Sequence, residues 1–181
     1  MVDDEIITTR SSADRLFTVA EIEASMDRMA AEITDRIGHR NPLFLVVMTG
    51  GMVPASMLLS RLNFPLQLDY IHLTRYGDKT LGGDLEWIQR PPSELNNRTV
   101  LLIDDLLDQG ITLQAAVDGC HENGAAEVLT AVLLVKEIPQ REGLKETNFF
   151  GLSTPDRYVF GFGMDYKTYW RNAPGIFAVA D

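Results

Sequence analysis

Leu43–Met48, Val100–Ile103 and Leu129–Val135 are short, almost unbroken apolar runs, and they restrict the possible fold more than any other feature of the chain. Such runs are too short for buried helices, and a strand that is apolar on both sides must be covered on both faces. The segments between them carry helix signals. After the first run the chain breaks at Thr49-Gly50-Gly51 and resumes as Pro54-Ala-Ser-Met-Leu-Leu-Ser60. After the second, Leu113, Ala116, Val117 and Cys120 follow helical spacing to a stop at Asn123-Gly124. Leu66 to Leu73 supplies a further strand, and the mixed, glycine-bearing stretch from Thr74 to Arg98 reads as a long loop or hairpin. Upstream, Thr18 and Glu21 form a capping-box pattern, behind which Ile22, Met26, Met29, Ile33 and Ile37 share one face of a helix ending near Gly38. Strands alternating with helices predict an α/β fold, a mainly parallel twisted sheet flanked by helices, with ligands at the carboxyl ends of its strands.

At 181 residues and 45% hydrophobic content, the chain suits a single domain spanning 1–181. The tail from Phe149 to Asp181 is richer in Gly, Pro and aromatics, and predicts a small irregular hood built from the chain ends. The formal net charge of -10 opposes the phosphate attraction that nucleic-acid binders rely on, so no nucleic-acid partner is expected. None of the apolar runs approaches the roughly 18 residues of a membrane span, so no membrane partner is expected either. The acidic start Met1-Val-Asp-Asp-Glu5 is unlike a signal peptide, and the single Cys120 fits a reducing compartment, so the expected location is cytoplasmic.

Asp104, Asp105 and Asp108 follow directly on Val100–Ile103, crowding three carboxylates at the end of a strand. Mutual repulsion there is destabilising unless a cation or hydroxyls receive the charge. Two adjacent acids suit a ribose diol or a hydrated magnesium ion. Gly110 permits a tight turn, and Thr112 opens a helix whose first amides form a cradle for a terminal phosphate. A solvated acidic turn is the plain alternative. The Asp-Asp-x-x-Asp metal box of prenyl-diphosphate enzymes is another, but it lies within long helices, whereas a strand precedes this segment and a glycine follows it.

The segment from Val100 to Leu113 resembles the phosphoribosyl pyrophosphate signature of type I phosphoribosyltransferases. The order of Leu133-Leu-Val-Lys136, Pro139, Pro155-Asp156-Arg-Tyr158-Val159, Gly161, Asp165-Tyr166 and Tyr169-Trp170-Arg171 is similar to the hypoxanthine-guanine members of that family. The resemblance covers roughly residues 43 to 175. It implies that Asp104 and Asp105 position the ribose hydroxyls, that they share a magnesium cofactor with Asp165, and that Asp108 takes the proton of the purine N7. It further implies that Asp108, Gln109, Gly110, Ile111 and Thr112 hold the 5'-phosphate, and that Thr49, Gly50 and Arg171 meet pyrophosphate. Lys136 would donate to the oxygen at C6 of the purine, Tyr158 would stack on its ring, and backbone carbonyls near Val159 and Asp165 would read its edge. Arg75 and Tyr76 fall in a flexible loop that closes over the site.

The implied substrates are phosphoribosyl pyrophosphate and hypoxanthine or guanine. A xanthine-selective enzyme, a non-catalytic nucleotide-sensing regulator and an inactive partner subunit are the other readings. Three positions depart from the family pattern: Gln109 replaces a usual Thr or Ser, Thr49 a frequent Lys or Arg, and Arg75 a Ser. Arg171 has a structural alternative, packing as a cation over Trp170. A homodimer or homotetramer is expected, with Phe44 or Leu59 as an apolar edge that the core could equally claim.

Overall fold

The computed structural model describes residues 2–75 and 85–180. Its elements run α1 (Asp4–Ser12), β1 (Asp14–Phe17), α2 (Val19–Ile37), β2 (Leu43–Met48), α3 (Met52–Leu59), β3 (Gln67–Arg75) and β4 (Leu85–Gln89). They continue as β5 (Thr99–Leu107), α4 (Ile111–Glu122), β6 (Glu127–Glu137), β7 (Phe149–Pro155), β8 (Val159–Phe160) and β9 (Ile176–Ala178). Six strands form a sheet in the order β4-β3-β2-β5-β6-β7, parallel throughout except for β4, which pairs antiparallel with β3 at one edge. The antiparallel β3–β4 pairing puts Leu85–Gln89 beside β3, in keeping with the hairpin, one of the two sequence readings; residues 76–84 lie outside the described residues.

The apolar runs alternate their side chains between two cores. Phe44, Leu101, Ile103, Ala131 and Leu133 point into the layer with α2 and α3, while Leu45, Val100, Leu102 and Val132 point into the layer with α4. On α2, the predicted stripe of Ile22, Met26, Met29, Ile33 and Ile37 is fully buried, each side chain contributing roughly 1.5–3 kcal/mol of burial. Its capping box is formed: the Glu21 amide donates to Thr18 Oγ1 at 3.3 Å, and the Thr18 amide donates to Glu21 Oε2 at 2.9 Å. Phe44 is fully buried, which removes it as an edge for assembly; Leu59 is half-buried and borders a groove on the α3 side.

Two boundaries differ from the sequence reading. The third strand does not end at Ile103 but runs on to Leu107, carrying both acids within it. Asp104 stands opposite Val132, and Leu106 and Leu107 stand opposite Leu134 and Val135, so pairing with a long apolar neighbour outweighs the weak strand preference of aspartate. The hood is also smaller than the tail that predicts it, because Phe149–Pro155 is a full strand of the main sheet. The hood itself is an antiparallel sheet in the order β1-β9-β8, closed around Phe160, Ala173 and Phe177. The amino-terminal helix α1 docks on it: Trp170 Nε1 donates to the Ile6 carbonyl at 2.7 Å, and Tyr166 Oη and Lys167 Nζ both reach Glu5 Oε1, at 2.8 and 2.6 Å.

From β2 the chain moves outward to β3 and β4, then returns to place β5 on the other side of β2. Connections therefore diverge between β2 and β5, and the carboxyl ends of these two strands open a crevice suited to a ligand. Among the described residues, no helix is long and apolar enough to cross a membrane.

Candidate active site

The crevice is an open cleft of about 400 Å³ between the ends of the central strands and the hood. Its floor comes from Asp104 and Asp105 on β5, one wall from the loop Asp108–Gly110 and the start of α4, and the other from Thr49 and Gly50 after β2. Lys136, at the end of β6, reaches in beside the hood residues Tyr158, Val159 and Asp165, and Arg171 closes the rim. Every residue singled out from the sequence for a ligand role thus lines this one cleft, apart from Arg75 and Tyr76. Tyr76 and the side chain of Arg75 lie outside the described residues.

The two adjacent acids are electrostatically poor neighbours. Asp104 is 8% exposed, and its carboxyl is held well above the usual carboxylate range, first by burial and then by the charge of Asp105. Burial likewise raises Asp105. The Asp105 amide donates to Asp104 Oδ1 at 2.9 Å, which fixes the turn of that side chain. Arg171 lies 3.9 Å from Asp105, pairs with Asp165 at 2.6 Å and donates to the Gly163 carbonyl at 2.6 Å. Arg171 therefore faces the acids in the cleft.

Gly50 is needed for the close approach of the two strand ends, since a methyl group there would lie 2.1 Å from Asp105 Oδ2. The Met48–Thr49 peptide just before it is cis. Gly110 caps α4 in the left-handed region, at φ 74°, and no side chain caps the helix. The first amides of α4 are thus left to an outside acceptor. A strap across the back holds this loop, with the Gly143 amide donating to the Gln109 carbonyl at 2.9 Å and the Leu144 amide to the Gly110 carbonyl at 3.0 Å. Arg141 adds to the strap: its Nε donates to the Asp108 carbonyl at 2.9 Å, and another of its nitrogens donates to the Lys136 carbonyl.

Lys136 Nζ donates to Asp108 Oδ2 at 3.1 Å and lies 3.3 Å from Asp156 Oδ1. Its side chain is only 11% exposed. Tyr158, in contrast, is half-exposed and lines the cleft, its ring nearly perpendicular to that of Tyr166 with ring centres 5.6 Å apart. The cleft therefore combines a charged donor beside a carboxylate, a flat aromatic surface, paired acids and unsatisfied helix amides. That set fits a flat heterocycle joined to a sugar and phosphates.

The sequence model of the phosphoribosyl transferase domain matches residues 12–168. The chain belongs to this family. Among curated phosphoribosyltransferases, the hypoxanthine-guanine enzyme of Bacillus subtilis (strain 168) is 28% identical over 162 residues, covering 89% of both chains. The hypoxanthine-guanine-xanthine enzyme of Tritrichomonas foetus is 27% identical over 161 residues, covering 89% of this chain and 88% of its own. A hypoxanthine phosphoribosyltransferase structure from Staphylococcus aureus superposes with a TM-score of 0.87 at 23% identity, covering 96% and 95% of the two chains, and shows the shared fold.

Sequence reasoning passed over Arg141 and Asp156. Both sit in segments that carry the family resemblance, beside Pro139 and Pro155, yet neither residue type marks a site on its own. Only the side-by-side ends of β6 and β7, with Lys136 opposite Thr154, bring Asp156 to the ammonium.

Proposed function

We propose that this phosphoribosyltransferase moves the 5-phosphoribosyl group of phosphoribosyl pyrophosphate onto hypoxanthine or guanine, releasing pyrophosphate and forming IMP or GMP, a purine-salvage reaction. The observation that carries this reading is the Lys136–Asp108 pair, 3.1 Å apart in the cleft. N7 and the oxygen at C6 are adjacent on one edge of a 6-oxopurine. An ammonium can only donate, so Lys136 suits the oxygen and disfavours the amino group of adenine, while a carboxylate at Asp108 suits an N7–H. The Tyr158 face supports the ring plane.

Asp104 and Asp105 stand where the ribose hydroxyls would be held, and the uncapped start of α4 with Gln109, Gly110, Ile111 and Thr112 receives the 5'-phosphate. The pyrophosphate lies toward Thr49, Gly50 and Arg171. Magnesium fits the donor set: Asp104, Asp105 and Asp165 offer oxygen ligands, and burial leaves the first two in need of positive charge. When bound, magnesium supplies neutralisation of the leaving pyrophosphate.

In the step itself, the lone pair of purine N9 forms the bond to C1 of the ribose as the bond from C1 to the pyrophosphate oxygen breaks. The pyrophosphate departs with that electron pair. The N7 proton passes to the Asp108 carboxylate. The family resemblance implies that the loop carrying Arg75 and Tyr76 closes over the site, which would keep water from the activated sugar. A homodimer or homotetramer in the cytoplasm completes the reading. Asp108→Ala should lose turnover by about a hundredfold or more while binding phosphoribosyl pyrophosphate nearly as well as the parent. Calorimetric titration and single-turnover assays check this, and equal loss of both removes Asp108 as the base.

A further inference from the structure

The ammonium of Lys136 is held between two carboxylates that do not have the same surroundings. Asp108 lines the cleft, whereas Asp156 is not among the residues that form its wall. Asp156 belongs to the turn after β7, two residues beyond Thr154, the register partner of Lys136 on the neighbouring parallel strand. That register brings a second carboxylate to the ammonium, 3.3 Å away, from a residue outside the cleft wall.

We propose that Asp156 is a positioning residue for proton transfer: it remains the counter-ion of Lys136 at the moment when Asp108 takes the purine N7 proton and becomes neutral. This rests on the 6-oxopurine reading above. The Lys136 side chain is only 11% exposed, and a nearly buried ammonium is costly without an anion beside it. With Asp108 as its sole partner, each transfer of a proton to Asp108 would strip Lys136 of its counter-charge. The ion pair would therefore resist the reaction it is placed to assist. With Asp156 at 3.3 Å the ammonium keeps an anion throughout, and stays in place to donate to the oxygen at C6. Asp156 itself is 61% exposed on its side chain, so solvent can stabilise its charge when no base is bound. It is not among the residues that line the cleft, and acts through Lys136.

The test compares Asp156→Asn, Asp156→Glu and the parent chain in single-turnover assays with magnesium, phosphoribosyl pyrophosphate and hypoxanthine, alongside steady-state KM for each substrate and thermal melting. The expected result is a single-turnover rate about tenfold lower or worse in Asp156→Asn, with KM for phosphoribosyl pyrophosphate within about twofold of the parent, an unchanged melting temperature, and recovery of most of the rate in Asp156→Glu. An unchanged rate in Asp156→Asn overturns the proposal. So does a rate loss matched by an equal rise in KM for phosphoribosyl pyrophosphate, by a lower melting temperature, or by an equal loss in Asp156→Glu. Failure of the underlying reading looks different, since the parent chain itself would then form no nucleotide from hypoxanthine or guanine.

Discussion

Asp104 shows how a single side chain can be placed against its own stability. Its carboxyl binds a proton more tightly in the folded chain than in the unfolded one, because burial and then Asp105 oppose the charge. The sign follows from linkage: stability associated with this group is complete below the ordinary carboxylate value of 3.8 and is lost as pH rises through the raised value. Asp104→Asn should therefore melt at a higher temperature than the parent at pH 7 to 8 without magnesium, with the gap closing as the pH falls toward about 4. The same variant should lose turnover. Calorimetric melts across that pH range check the first claim, and a lower melting temperature for Asp104→Asn at pH 8 would show that the charge is already compensated within the fold. At this scale the sequence was most legible where chemistry resides in neighbouring residues, as in Asp104, Asp105, Asp108 and Gly110. Asp156 and Arg141 were hidden because their partners are supplied by strand register and by a loop crossing behind the site.

Among the elements, the buried strands and α2 were readable because their burial pattern is periodic and local. Two things were not. The extension of β5 through Asp105 depends on its neighbour β6, and α1 depends on residues more than 150 positions away, as in the Trp170 to Ile6 bond. Only Ile6 of α1 is buried, so no apolar stripe announces that helix. The α2 capping box offers a direct check on how much a local signal contributes. Thr18→Ala should lower the melting temperature by about 2–4 °C at neutral pH. Glu21 is held below its ordinary value of 4.5, first by the Thr18 backbone amide and then by the Thr18 side chain. Its contribution is present above 4.5 and is lost as pH falls through the lowered value, so the difference between Thr18→Ala and the parent should shrink in acid. A difference that persists unchanged below pH 3 would place the effect of Thr18 elsewhere.

For the whole molecule, the division of labour is between a mainly parallel sheet and a hood made from both chain ends. The sheet presents the acids and the uncapped helix at the point where its connections diverge, and the hood brings Tyr158, Asp165 and Arg171 over them. The sheet and the residues gathered at its strand ends were legible in the sequence, but not that β1 would join β8 and β9, since nothing in four residues of Asp-Arg-Leu-Phe specifies a partner at the opposite end of the chain. On the proposed reading, base choice is decided where the two parts meet, at Lys136 between Asp108 and the hood. The most direct measurement is therefore a spectrophotometric assay of initial rates with magnesium, phosphoribosyl pyrophosphate and hypoxanthine, guanine, xanthine or adenine in turn. Nucleotide formation from hypoxanthine or guanine with adenine left unreacted is the predicted result; adenine as the best substrate, or no turnover with any base, would contradict it.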